Sequence, residues 1–183
     1  YAATPERLLM LVMHELHHVI LGHTRLLPVS TPLDNIVFDA VINAMLCRAF
    51  PDPRGIALFT DFYAADEVPA ALLRPADGWE PSRLGRPASP SRVLIKAGHP
   101  RLADVHRALY SPGGVSYEEL RDALLEACPP AQAAEVALLG DHGAGGPCQG
   151  SAVETRIRQV SRLVVCWIEG CGRAAAPLVR CAV

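Results

Sequence analysis

Residues 5–22 read PERLLMLVMHELHHVILG, and the fold expected of the whole chain follows from that stretch. Thr4-Pro5-Glu6 opens it as a helix start. A threonine can accept from the first free amides, a proline loses nothing at the first helical position, and an acid suits the positive end of the helix dipole. Leu8, Leu11, Val12, Leu16, Val19 and Ile20 recur at three- and four-residue steps. That spacing predicts a helix to about Gly22, its apolar stripe facing the core beside a histidine-bearing one. On such a helix His14 and His18 lie about 40° apart around the axis, so both imidazoles can reach one ion.

His14-Glu15-Leu16-His17-His18 is an HExxH pattern, and each fixed position has a chemical reason. Two imidazoles, a third protein ligand from elsewhere and an open position for water make a catalytic zinc site. Glu15, at the edge of the ligand face, is placed to take a proton from water as general base. His17 lies off that face and is read as a neighbour of the site. The third ligand has two candidates. Asp39 is favoured, because an acid amid Ile36, Val37, Phe38, Val41 and Ile42 is expensive to bury unless paired or metal-bound. His23 is the alternate and needs a sharp turn at Gly22. Asn35 and Asn43 stand one turn either side of Asp39, each readable as a hydrogen-bond partner of the site or as an ordinary cap or polar helix position.

Along the rest of the chain, Thr31 or Asp34 can cap a second helix through Ile36, Val41, Ile42 and Leu46 that stops near Pro51. Residues 1–50 thus form a motif-bearing helix pair. Residues 51–100 are rich in Pro, Gly and Ser and are expected to be irregular, with Ile56-Ala57-Leu58-Phe59 as a short strand and 81–90 as a surface loop. Residues 101–183 read as a helical C-terminal part, with helices over 102–110 and 116–127, the latter opened by a Ser116/Glu119 capping box. A third, after Ser151 and Glu154, carries Ile157, Val160, Leu163, Val164 and Trp167 and stops at Gly170. The expected fold class is mainly α, with α+β left open by the short strand.

The 183 residues suit one domain. Seventeen basic against nineteen acidic side chains, interspersed, give a net charge of −2 and no cationic block to neutralise phosphates, so nucleic acid is not an expected partner. Apolar runs fall well short of the roughly 18 to 20 residues that span a bilayer. The expectation is a soluble, cytoplasmic protein with no membrane contact. Six cysteines (Cys47, Cys128, Cys148, Cys166, Cys171, Cys181) contain no CxxC pair and read as free thiols in a reducing compartment. The start on Tyr1, with the motif following within fifteen residues, reads as a fragment or processed product lacking upstream sequence.

The segment from His14 to His23, HELHHVILGH, followed by Asn35-Ile36-Val37-Phe38-Asp39-Ala40-Val41-Ile42-Asn43, resembles the metallopeptidase domain of bacterial proteins often encoded with von Willebrand factor A modules and MoxR-type ATPases. That family carries HExxHxxxGH on one helix and an Asn-Ile-x-x-Asp-x-x-x-Asn pattern on the next. The likeness covers residues 6–46. HExxHxxxGH is also similar to HtpX-like membrane peptidases, whose third ligand is a glutamate on the following helix, where this chain has Asn35. The resemblance implies a zincin-like helical core with at most a small sheet, a Zn2+ cofactor, a protein or peptide substrate and a von Willebrand factor A or AAA ATPase partner. It equally admits a non-catalytic metal-binding or protein-interaction module of such a regulatory system. Zincins usually place a sheet before the active helix, and none is legible here, so if the chain is complete either substrate contacts come from the downstream loop around residues 56–63 or the domain has lost peptidase activity. Tyr63 is considered for an oxyanion and read as an ordinary core or surface tyrosine. Asp141-His142 reads as a solvated turn, and His99 and His106 belong to no pattern.

Overall fold

The computed structural model describes residues 3–23, 30–80 and 87–139. Helix α1 spans Pro5–Ile20, with the Thr4 side chain accepting from the Arg7 amide at its start. Helix α2, Pro32–Ala49, opens on a complete capping box in which the Thr31 hydroxyl accepts from the Asp34 amide while the Asp34 carboxylate accepts from Thr31. Then follow α3 (Pro53–Phe62), a 3-10 turn (Ala70–Leu73), α4 (Arg92–Lys96), α5 (Pro100–Leu109), α6 (Tyr117–Ala127) and α7 (Pro130–Ala133). Among the described residues there is no strand, so the mainly α expectation holds.

Helix α2 is the axis of the packing. Twelve of its eighteen residues are buried, and α1, α5, α6, α7 and the 3-10 turn all pack against it. A helix apolar on every side has no other stable location than a core. Its buried set, from Leu33 and Ile36 through Ile42 to Leu46, joins Phe59, Leu72, Leu94, Leu102, Leu120 and Leu124 in one hydrophobic cluster.

Helix α1 packs on α2 and α3. It approaches α3 closely because Gly55 has no side chain there: a Cβ at that position would meet Met10 Cγ at 3.0 Å. Arg7 reaches Asp61 of α3, and Glu6 pairs with Arg54 at 2.8 Å, tying the same two helices at the surface.

Three expectations are corrected. Residues 56–59 are helical, inside α3. Asp52 caps this helix and Pro53 occupies its first turn, and a four-residue apolar run cannot by itself tell a strand from a buried helix face. The apolar stripe of α1 does not face inward either. Its buried residues are Met10, His14 and His18, while Leu16, Val19 and Ile20 are exposed. The region 51–100 is also less irregular than expected, since it holds α3, the 3-10 turn and α4. The helix expected beyond Ser151, Asp141-His142 and the last four cysteines lie outside the described residues. Cys47 and Cys128 are free and buried. No helix among the described residues is long and apolar enough to cross a membrane.

Candidate metal centre

His14 and His18 stand one turn apart on the buried face of α1, and Asp39 stands in the middle of α2 with no exposure at all. Because α1 lies against α2, the three side chains meet. His14 Nε2 and His18 Nε2 are 3.2 Å apart, and Asp39 Oδ1 is 3.2 Å from His18 Nε2 and 3.7 Å from His14 Nε2. His14, His18 and Asp39 form a buried group that could hold a metal ion.

The donor spacing fits one ion. Ligands at the corners of a tetrahedron with bonds of about 2.0–2.1 Å are separated by roughly 3.3–3.4 Å, close to the mean of the three edges measured here. The donor set is two nitrogens and one carboxylate oxygen without sulfur.

Protonation follows from the outward-facing nitrogens. His14 Nδ1 lies 2.8 Å from Asn43 Oδ1, and an amide oxygen only accepts. The Nδ1 of His14 therefore carries a proton, which leaves its Nε2 as the nitrogen that could bind an ion. Asn43 is held for this task, since its Nδ2 donates to the Leu73 carbonyl at 2.8 Å. Burial, followed by the charge of His17, lowers the His18 pKa from 6.5 to about 4. That ring is neutral at pH 7, which a metal ligand must be.

The remaining sequence candidates are placed as follows. Glu15 is half-buried beside His14, close enough to Tyr63 for its charge to help raise the phenol. His17 turns back on its own helix and donates Nδ1–H to the Met13 carbonyl at 2.6 Å. His23 does not join the three donors. Its Nδ1 is 3.1 Å from the outer Nδ1 of His18, on the far side of that ring from Asp39. Asn35 is half-buried in the first turn of α2, its backbone N–H bonded to the Thr31 carbonyl.

Tyr63 is a buried core tyrosine whose hydroxyl accepts from the Leu139 amide at 3.0 Å. Burial, then the charge of Asp39, pushes its pKa up, against hydrogen bonds from Leu139 and Asn43. It lies behind the donors, tied to Asn43. The contributions of Leu73 through its carbonyl and Leu139 through its amide had no side-chain signal in the sequence. The stacking of Phe38 on His23, at a centroid distance of 3.8 Å, was hidden among the other apolar residues of α2.

No family model matches this chain, and no curated protein or solved structure matches it either.

Proposed function

We propose that this chain is a zinc-dependent peptidase, with His14, His18 and Asp39 as the metal ligands and Glu15 as general base. The observation that supports this reading most is the convergence of two imidazole nitrogens and a buried carboxylate at tetrahedral spacing. Three protein ligands, with His23 outside their group, are the donor count of catalytic rather than structural zinc sites. When bound, zinc supplies a Lewis acid that lowers the pKa of water towards neutrality and polarises a carbonyl.

The chain's own residues do the rest. Asn43 fixes the tautomer of His14, and the carboxylate of Asp39 offsets the charge of the ion in a site shielded from water. Glu15, next to the first ligand, takes a proton from the attacking water and passes it to the leaving amine. A peptide or protein is the substrate class this chemistry serves.

The complete burial of His14 and Asp39 favours one second reading, a non-catalytic metal-binding module of a von Willebrand factor A or ATPase-linked system. One variant separates the two. In the peptidase, Glu15→Gln keeps one zinc per chain and lowers cleavage of a casein or mixed-peptide substrate by about 100- to 10,000-fold, the range of a lost general base. Unaltered protein that carries zinc and cleaves nothing selects the binding module. Unaltered protein without stoichiometric zinc, by metal analysis of untagged material, overturns both.

A further inference from the structure

We propose that His23 is a positioning residue for the metal centre, accepting a hydrogen bond from His18 Nδ1–H and thereby holding the His18 ring with its Nε2 lone pair towards Asp39. The inference rests on the metal-centre reading above and assigns His23 a role other than that of a ligand.

An imidazole that gives its Nε2 lone pair to an ion carries its proton on Nδ1 and needs an acceptor there, which orients the ring and raises its basicity. For His14 that acceptor is Asn43 Oδ1. For His18 the group in reach is His23 Nδ1, at 3.1 Å, with the two rings edge to face and their centroids 5.0 Å apart. Each ligand histidine is thus met on its outer nitrogen by a different element, one from α2 and one from the turn after α1.

The His23 ring is itself fixed. Gly22 adopts φ +68°, a left-handed conformation that glycine enters without the clash a Cβ would cause. The turn carries His23 onto Phe38, where the rings stack at 3.8 Å and an interplanar angle of 16°. Phe38 in turn stacks on Tyr117 at 5.3 Å. Tyr117 donates its hydroxyl to Asp34 Oδ1 at 2.7 Å, and Arg121 Nε donates to the same oxygen at 2.9 Å. The column of three rings therefore ends on a carboxylate at the first turn of α2 that also accepts from the Thr31 amide and hydroxyl. The middle ring, Phe38, and the carboxylate on which the column ends, Asp34, both belong to the helix that carries Asp39. Whatever fixes α2 against α6 also fixes the angle of His18.

The test uses the full chain loaded with zinc or cobalt. In the unaltered zinc protein, long-range proton–nitrogen spectra should show His18 protonated at Nδ1, with a through-hydrogen-bond coupling to His23 Nδ1. This measurement needs no substitution, so it stands if a variant misfolds. His23→Phe keeps the stack on Phe38 but offers no acceptor. It should still bind one zinc per chain at saturation, with affinity in competition with a chromophoric chelator lowered about 10- to 100-fold and a shifted cobalt absorption spectrum. His23→Gln, which restores an acceptor, should recover part of the loss.

His18 protonated at Nε2, unchanged affinity in His23→Phe, or X-ray absorption that counts three imidazoles on the zinc each overturns the assignment. Unaltered protein that takes up no zinc at all overturns the metal-centre reading itself, a result distinct from these three.

Discussion

Among the described residues two imidazoles are buried almost completely, His14 at 0 % and His106 at 1 % exposure, and their surroundings differ in kind. His106 donates Nε2–H to the Arg74 carbonyl at 2.9 Å and sits edge-on to Tyr110. Its Nδ1 makes no hydrogen bond among the described residues, and no cluster of His, Cys, Asp or Glu forms around it. His14 also has one nitrogen satisfied, by Asn43. Its other nitrogen lies near His18 Nε2 and the carboxylate of Asp39, atoms of the kind that bind a metal ion. Burial of a histidine is therefore not the mark of a metal centre. What sets His14 apart is the convergence of three possible ligand atoms, a group that could hold a metal ion, and α5 supplies the internal control.

The sharpest way to break the comparison is to remove a ligand. His14→Ala should abolish stoichiometric zinc binding, lowering affinity by more than about 100-fold, beyond what outer hydrogen-bond partners contribute. His106→Ala should leave metal content unchanged. Equal metal loss in both, measured on folded protein by isothermal titration, would erase the distinction.

A smaller effect is expected one step outward. Asn43→Ala leaves His14 Nδ1 without its acceptor and the Leu73 carbonyl without its donor, and should weaken zinc binding about 10- to 100-fold. Zinc affinity within twofold of the unaltered protein would show that Asn43 serves the fold alone.

The smallest effect concerns His106 and appears as acid sensitivity. Burial is the main cause that lowers its pKa from 6.5 to about 4, with the bond to the Arg74 carbonyl acting in the opposite direction. The unfolded chain thus binds a proton before the folded chain does, and stability present above about pH 6.5 is lost as pH falls, levelling near pH 4. Between about pH 7 and pH 5 this group alone should remove roughly 2 kcal/mol. Urea unfolding at the two pH values should show a correspondingly shallower dependence in His106→Gln. An identical slope would mean that His106 titrates normally in the folded protein.

The contrast between α1 and α2 shows what sequence could convey. Both helices were legible, because Thr4-Pro5 and Thr31-Pro32 are local start signals read without knowledge of the fold. Asp39 was legible as a candidate third ligand for a cost reason: an acid in a run such as Ile36 to Ile42 must be compensated. The face of α1 was misread. Periodicity marks two stripes on that helix, one apolar and one histidine-bearing, and propensity assigns the apolar one to the core. The pairing of His14 and His18 with Asp39 is a tertiary fact that outweighed it, and Leu16, Val19 and Ile20 are exposed as a result. The run Ile56 to Phe59 failed for a related reason. A short apolar segment has no period, and the deciding signal was the Asp52-Pro53 start just before it. His23 was seen as a ligand candidate, but its angle depends on Phe38 and Tyr117, which no local pattern connects.

That outward turn of α1 changes what holds the helix to the protein. Of the three residues it buries, Met10, His14 and His18, two are candidate ligands. Leu11 and Met13 are only partly covered, and exposed ion pairs such as Glu6 with Arg54 contribute little. Under the proposed metal-centre reading, coordination would fasten the first helix to the body beside its hydrophobic contacts, and a chelator acting on the site would loosen an entire structural element along with the chemistry. Free zinc concentration would then set, on that reading, how firmly the amino-terminal helix is seated.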